Sequence, residues 1–156
     1  MKKTIKWPVH GGVLLLAALL TLVGCVAAGK SASAIRISSV RGGELSLLPQ
    51  TRNPVLVVKS KTGIGRARLV ISQSLSEGMV FEFPGLQQLE FFSLEKNGKA
   101  LICHGTADAE LACTWGREWP VAILKRYQGG ITVVVPAVVF AEPGEWSLEW
   151  VDYYRN

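Results

Sequence analysis

The residues of this chain whose types and spacing could do chemistry fall into three groups. From Leu45 to Ser76 the charged residues are Arg52, Lys59, Lys61, Arg66 and Arg68, with no acid among them. If Thr62 to Gly65 is the turn of a hairpin, period-two alternation puts Lys59, Lys61, Arg66 and Arg68 on one outward face. Leu56, Val58, Ala67 and Leu69 then face inward. Like charges opposed across strands are mildly destabilising, so the pattern predicts either an anionic ligand or acidic neighbours, for which Glu82 and Glu90 are the candidates. In the second group, Trp115 and Trp119 flank Gly116-Arg-Glu118 and precede Pro120. Such a loop either presents rings that stack on a sugar or peptide, or covers one end of a small fold. The third group is the cysteines, Cys25, Cys103 and Cys113.

Catalytic and metal-binding constellations do not emerge from the sequence. There is no Gly-x-Ser-x-Gly elbow, no convincing carboxylate pair and no nucleophile with a base. Asp108 and Glu110 lie near His104, but a strand-to-strand loop of this kind reads as a polar turn, so no catalytic residue is assigned. His104 is the single histidine after Cys25 and no Cys-x-x-Cys pair exists, so zinc lacks ligands and no cofactor is expected. Asp152, near the end of the chain, is expected to pair with an arginine.

The position of Cys25 is more specific. Met1 to Lys6 carries three lysines and no acid, and Gly11 to Val23 is an uncharged run rich in Leu, Ala and Val. That run has the size of a signal-peptide core and falls short of the roughly 20 residues that span a bilayer. Its end, Leu22-Val-Gly-Cys25, resembles the lipobox of bacterial lipoproteins. The resemblance implies cleavage before Cys25 and attachment of diacylglycerol, with palmitate-type chains, to the new N-terminus. Val at position 26, where an Asp would hold the protein at the inner membrane, favours the outer membrane if the source cell has one. With Cys25 on lipid, Cys103 and Cys113 are an even pair in an oxidising compartment, and a disulfide is expected.

Charge excludes one class of partner. The net charge of +5 falls to +2 after the signal and to −1 for residues 44–156, which leaves no general attraction for nucleic acid.

These groups must be positioned by strands. Val26 to Gly43, rich in Ala, Ser and Gly, reads as a tether holding a first strand at Ile35 to Val40. Apolar runs of strand length then recur between turn residues: Glu44–Leu48, Pro54–Ser60, Arg66–Ser72, Met79–Phe83, Leu89–Leu94, Ala100–His104, Glu110–Trp115, Val121–Tyr127, Ile131–Val139 and Trp146–Tyr153. Asn97-Gly98 is a two-residue hairpin turn. Trp146, Leu148 and Trp150 alternate onto one core face of the last strand. The expected architecture is all-β, a small antiparallel β-sandwich of immunoglobulin-like or jelly-roll-like kind. The expected organisation is a lipoprotein signal peptide over 1–24, a flexible tether over 25–43 and the sandwich over 44–156.

Ser60-Lys-Thr-Gly-Ile-Gly-Arg-Ala-Arg-Leu69, Leu86 to Lys99 and the ending Trp150-Val-Asp-Tyr-Tyr-Arg155 resemble an uncharacterised family of exported bacterial β-rich proteins and lipoproteins. The resemblance implies export and an all-β domain, and it carries no activity. The expectation is a lipid-anchored, non-enzymatic binding or structural module of the cell envelope. Its partners would be the membrane, through the anchor, and an anionic envelope polymer, a glycan or another envelope protein. A glycan-binding module using Trp115 and Trp119, and an envelope hydrolase with a site not visible in sequence, are the alternatives.

Overall fold

The structure is a computed structural model and describes residues 33–48, 53–105, 111–116, 123–127 and 129–152, with 111 and 123–127 as backbone alone. The signal segment, Cys25, Arg52, Asp108, Glu110 and Trp119 lie outside the described residues. Among the described residues no helix is long and apolar enough to cross a membrane.

Eleven strands are described: β1 (Ile35–Arg41), β2 (Gly43–Leu48), β3 (Val55–Ser60), β4 (Ile64–Ile71), β5 (Met79–Pro84), β6 (Leu89–Lys96), β7 (Lys99–Gly105), β8 (Leu111–Trp115), β9 (Ile123–Tyr127), β10 (Gly130–Val135) and β11 (Gly144–Asp152). They form two sheets, ordered β1-β4-β11-β6-β7-β8 and β2-β3-β5-β10-β9. This is the β-sandwich that the recurring short apolar runs require. Leu56, Val58, Phe81, Phe83, Val133 and Val135 point inward from the five-stranded sheet. Leu69, Phe92, Leu94, Leu101, Trp146, Leu148 and Trp150 point inward from the other, and all of these are at most 1% exposed. Phe92 joins the layers, meeting Phe81 and Phe83 edge-on at 5.0 and 6.3 Å between centroids.

Local turn chemistry is obeyed where it is strongest. Asn97 and Gly98 have φ of 52° and 76°, the left-handed values of a type I′ turn, and β6 pairs with β7 with Lys96 opposite Lys99. β10 stops at Val135, because Pro136 has no N–H for the ladder. The chain turns there into a short 3-10 segment, Ala137–Phe140, instead of extending to Val139.

Two expectations are corrected. β3 and β4 do not form a hairpin: β3 pairs with β2 and β5, and β4 pairs with β1 and β11 in the opposite sheet. Leu56 and Val58 therefore face Ala67 and Leu69 across the core, instead of lying beside them. Because the chain leaves through β4 and returns through β5, β3 and β5 run the same way and pair in parallel, an exception to the antiparallel pattern. The tether also ends earlier than residue 43, since β1 is an edge strand of the six-stranded sheet, paired with β4 from Ile35 to Arg41. Arg36 and Arg41 thus belong to the domain.

Two of the crossings between sheets, Gly42 and the Lys61–Gly63 turn, lie against each other, with the Lys61 N–H donating to the Gly42 carbonyl at 2.9 Å. Trp150 fills the space beneath them. Its Nε1 donates to Ser60 Oγ at 3.0 Å, and its ring lies where a Cβ on Gly65 would be. Asp152 N–H donates to the Gly63 carbonyl at 2.8 Å. The Thr-Gly-Ile-Gly65 segment and the Trp150-Val-Asp152 segment, far apart in sequence, are one structural unit.

Candidate functional site

The charged residues are positioned by the two sheets separately. Lys59 lies near the end of β3 and Lys61 in the turn that follows it, where Lys61 pairs with Glu44 of the neighbouring β2. Arg66 and Arg68 lie on the outer face of the six-stranded sheet. Arg66 Nε is 3.1 Å from Glu149 Oε2 and Arg68 Nη1 is 2.8 Å from Glu145 Oε1, both glutamates being on adjacent β11. The four cations therefore share no face. Three of them meet carboxylates, though not those of Glu82 and Glu90, and Gln88 hydrogen-bonds Glu90 instead. Exposed pairs of this kind contribute about 0–1 kcal/mol each. Around Arg66 and Arg68 the sheet face is a shallow trough of about 930 Å³, lined by Ser38, Ser39, Arg41, Ser93, Ser147 and Glu95 among others.

The hydrogen bond from Lys61, its charge, and the charge of Lys59 together hold the Glu44 carboxyl below its usual range. A lowered carboxyl stabilises the fold above its unfolded pKa, near 4.5, and that contribution fades as pH falls through the lowered value. The Lys61→Gln variant should lose this part of the acid dependence, which an acid-unfolding titration compared with wild type would show.

Of the two readings open for Trp115, the structure takes the one in which the ring covers the fold. Trp115 is the last residue of β8, points inward and is 5% exposed. Its ring stacks on Trp146 at 6.1 Å, with 28° between the planes, and the Lys99 ammonium lies 4.4 Å from its centroid. It is not an exposed platform for a sugar, because these neighbours already cover it. The period-two reading of Trp146 and Trp150 as core is correct, at 1% and 0% exposure.

Beside the Asn97-Gly98 turn, Trp115 and Trp146 line a cleft of about 210 Å³ with Lys96, Lys99, Val138 and Glu142. The turn sets Lys96 opposite Lys99, and each ammonium extends over an indole, that of Lys96 at 5.6 Å from the Trp146 centroid. Lys96 is also committed to the carbonyls of Pro143 and Glu142, at 2.7 and 3.2 Å, and to Glu142 Oε2 at 3.4 Å. The Nε1 donors of Trp115 and Trp146 are buried and have no acceptor among the described residues. A buried donor left without a partner costs about 1–3 kcal/mol, so this pair marks the cleft. Lys96 and Lys99 carried a sequence signal only as the flanks of a hairpin turn, and nothing local indicated that indoles would lie under them.

Cys103 and Cys113 are direct partners on β7 and β8 with Cα atoms 4.0 Å apart, and their sulfurs are bonded. Both are buried inward, and Trp115 follows two residues after Cys113. His104 is exposed on the outer face against Phe91, with centroids 5.3 Å apart. Among the described residues no group of three or more His, Cys, Asp and Glu is placed to hold a metal ion.

Asp152 overturns a smaller expectation. It is 4% exposed, and neither carboxylate oxygen has a partner among the described residues, so no arginine meets it there. Burying a charge without a counter-charge is unfavourable. Asp152→Asn should therefore raise stability by about 1–2 kcal/mol, measured by urea unfolding at neutral pH. A less stable variant would mean that the carboxylate itself is held.

Comparison of the chain with protein-family models, with curated proteins and with solved structures gives no match. The class that the fold defines is a two-sheet β-sandwich with a disulfide between β7 and β8, the latter an edge strand. What it does must be argued from its own residues.

Proposed function

We propose that the protein is exported, held on a membrane by acyl chains on Cys25, and acts at the cell envelope as a non-enzymatic binding module. The observation that carries this reading is the Cys103–Cys113 bond, since disulfides form and persist in oxidising compartments outside the cytosol. It agrees with the basic, then apolar, start of the chain and with the Leu-Val-Gly-Cys25 ending of that segment. Several acyl chains, at about 0.8 kcal/mol per buried methylene, hold a protein stably where a single chain is marginal. Ser33 follows Cys25 closely in sequence, so the linking stretch reaches at most ~28 Å when fully extended, and the sandwich works near the bilayer surface. Binding is supported by the cleft over Trp115 and Trp146, where the ammonium of Lys99 has no carboxylate partner among the described residues.

Mass spectrometry of the mature protein tests the anchor. The expected product begins at Cys25 and carries diacylglycerol, and Cys25→Ser should move the protein from the membrane fraction to the soluble one. A mature chain that starts elsewhere, or a free thiol at Cys25, would falsify the anchor.

A further inference from the structure

The cleft beside the Lys96–Lys99 turn is rich in donors and poor in acceptors. Its floor is two stacked indoles, 5% and 1% exposed, whose N–H groups have no acceptor among the described residues. Its two cations are unequal. Lys96 is neutralised by Glu142 and two carbonyls, whereas Lys99 has a ring contact and no carboxylate partner among the described residues. Among the described lining residues the one acidic side chain, Glu142, is thus already engaged. The opposite wall is apolar, with Val139, Ala141 and Val138, the last of these 53% exposed.

We propose that this cleft binds an organic carboxylate, whose oxygens accept from Lys99 while its carbon skeleton lies on Val138. The inference deepens the binding reading above and rests on it. A carboxylate has the acceptor capacity that this donor set lacks, and a charge-assisted bond to an ammonium is the stronger kind. Phosphate fits less well, because it is favoured by guanidinium forks or clustered backbone N–H groups, and no arginine among the described residues lines the cleft. A stacked sugar ring fits less well too, since Trp115 already carries Trp146 and Lys99 against its ring. At about 210 Å³ the cleft is smaller than the ~300–1,000 Å³ of drug-sized sites, which suits a small acid or the acidic end group of a larger molecule.

The test is a titration of the mature protein in detergent, reading the indole N–H resonances by nitrogen–proton NMR. Three probes are added in turn: 3-methylbutanoate, its primary amide, and inorganic phosphate. The acid should shift the Trp115 and Trp146 signals saturably while leaving that of Trp150 in place, and the amide should bind at least about tenfold more weakly. Lys99→Gln, a change at an exposed side chain, should weaken the acid by a similar factor with an unchanged melting temperature. Val138→Asp, which puts a like charge on the wall, should do the same. Shifts caused by phosphate or by the amide as strongly as by the acid would sink the carboxylate assignment and leave the binding reading standing. If no probe moves either indole signal, the carboxylate proposal fails and the cleft no longer supports a binding role. Acid binding that is equal in wild type and in both variants would place the ligand elsewhere and overturn the proposal.

Discussion

Gly65→Ala should destabilise the sandwich by about 3 kcal/mol, the upper end for overpacking a full core, although it adds one methyl group. The added Cβ would overlap Cζ2 and Cε2 of Trp150 and lie 2.6 Å from Cη2. The ring cannot easily retreat. Trp150 is 0% exposed, its Nε1 is held by Ser60 Oγ, and a Cβ on Gly43 would be 2.9 Å from its Cζ2 on another side. Gly65 and Trp150 are also register partners between β4 and β11, so moving the ring means moving the strands. Trp150→Leu alone leaves a cavity and should cost about 2–4 kcal/mol. Together the two changes should cost less than their sum, with a coupling of about 1–3 kcal/mol, because the smaller side chain makes room for the methyl group. Urea unfolding of the four proteins measures this. Additive losses would show that Gly65 is there for some reason other than the ring.

The disulfide should have the next largest effect. Replacing Cys103 and Cys113 together by alanine is expected to lower stability by about 2–3 kcal/mol, from the chain-entropy estimate for a sequence separation of 10. The loss should also be local. β8 is an edge strand of the six-stranded sheet, joined to it through β7 alone, with the bonded cysteines directly opposite each other. Edge strands open at low free energy, so amide exchange over Leu111–Trp115 should rise more than over β4 or β11. Trp115 lies at the end of β8, so its contact with Trp146 should loosen as well, and tryptophan fluorescence should change before global unfolding. A thiol reductant should reproduce these effects in the wild type and leave the alanine variant unaffected. Equal unfolding midpoints for wild type and variant would count against a stabilising role for the bond.

What could be read from the residues alone was whatever depends on a few neighbours along the chain. Period-two alternation identified Ala67 and Leu69 as one inward face, and they are 4% and 0% exposed. The same rule put Trp146, Leu148 and Trp150 in the core. Asn97-Gly98 declared its turn because few residue pairs accept two successive positive φ angles. The cysteine pair was legible because just two thiols remained once Cys25 was set aside.

Alternation states which way a side chain points and is silent on which strand lies beside it. The Thr-Gly-Ile-Gly65 turn could therefore read as a hairpin, although it carries the chain from one sheet to the other. The decision rests on Trp150 and Asp152, which meet Gly65 and Gly63 from the far end of the sequence. Acidic neighbours were expected and are present, but the naming of Glu82 and Glu90 as those acids missed for the same reason. Acids were absent between Leu45 and Ser76, yet Glu145 and Glu149 reach Arg68 and Arg66 across separations of 77 and 83 residues, because β11 lies next to β4. The cleft was equally out of reach: Trp115 resembled a loop residue by its neighbours, and only the stacking of β8, β7, β6 and β11 in one sheet brings it onto Trp146 under Lys99. Short-range sterics and hydrophobic period thus set the elements from the sequence, whereas strand order, which depends on contacts distant along the chain, set the partners of every charged and aromatic group.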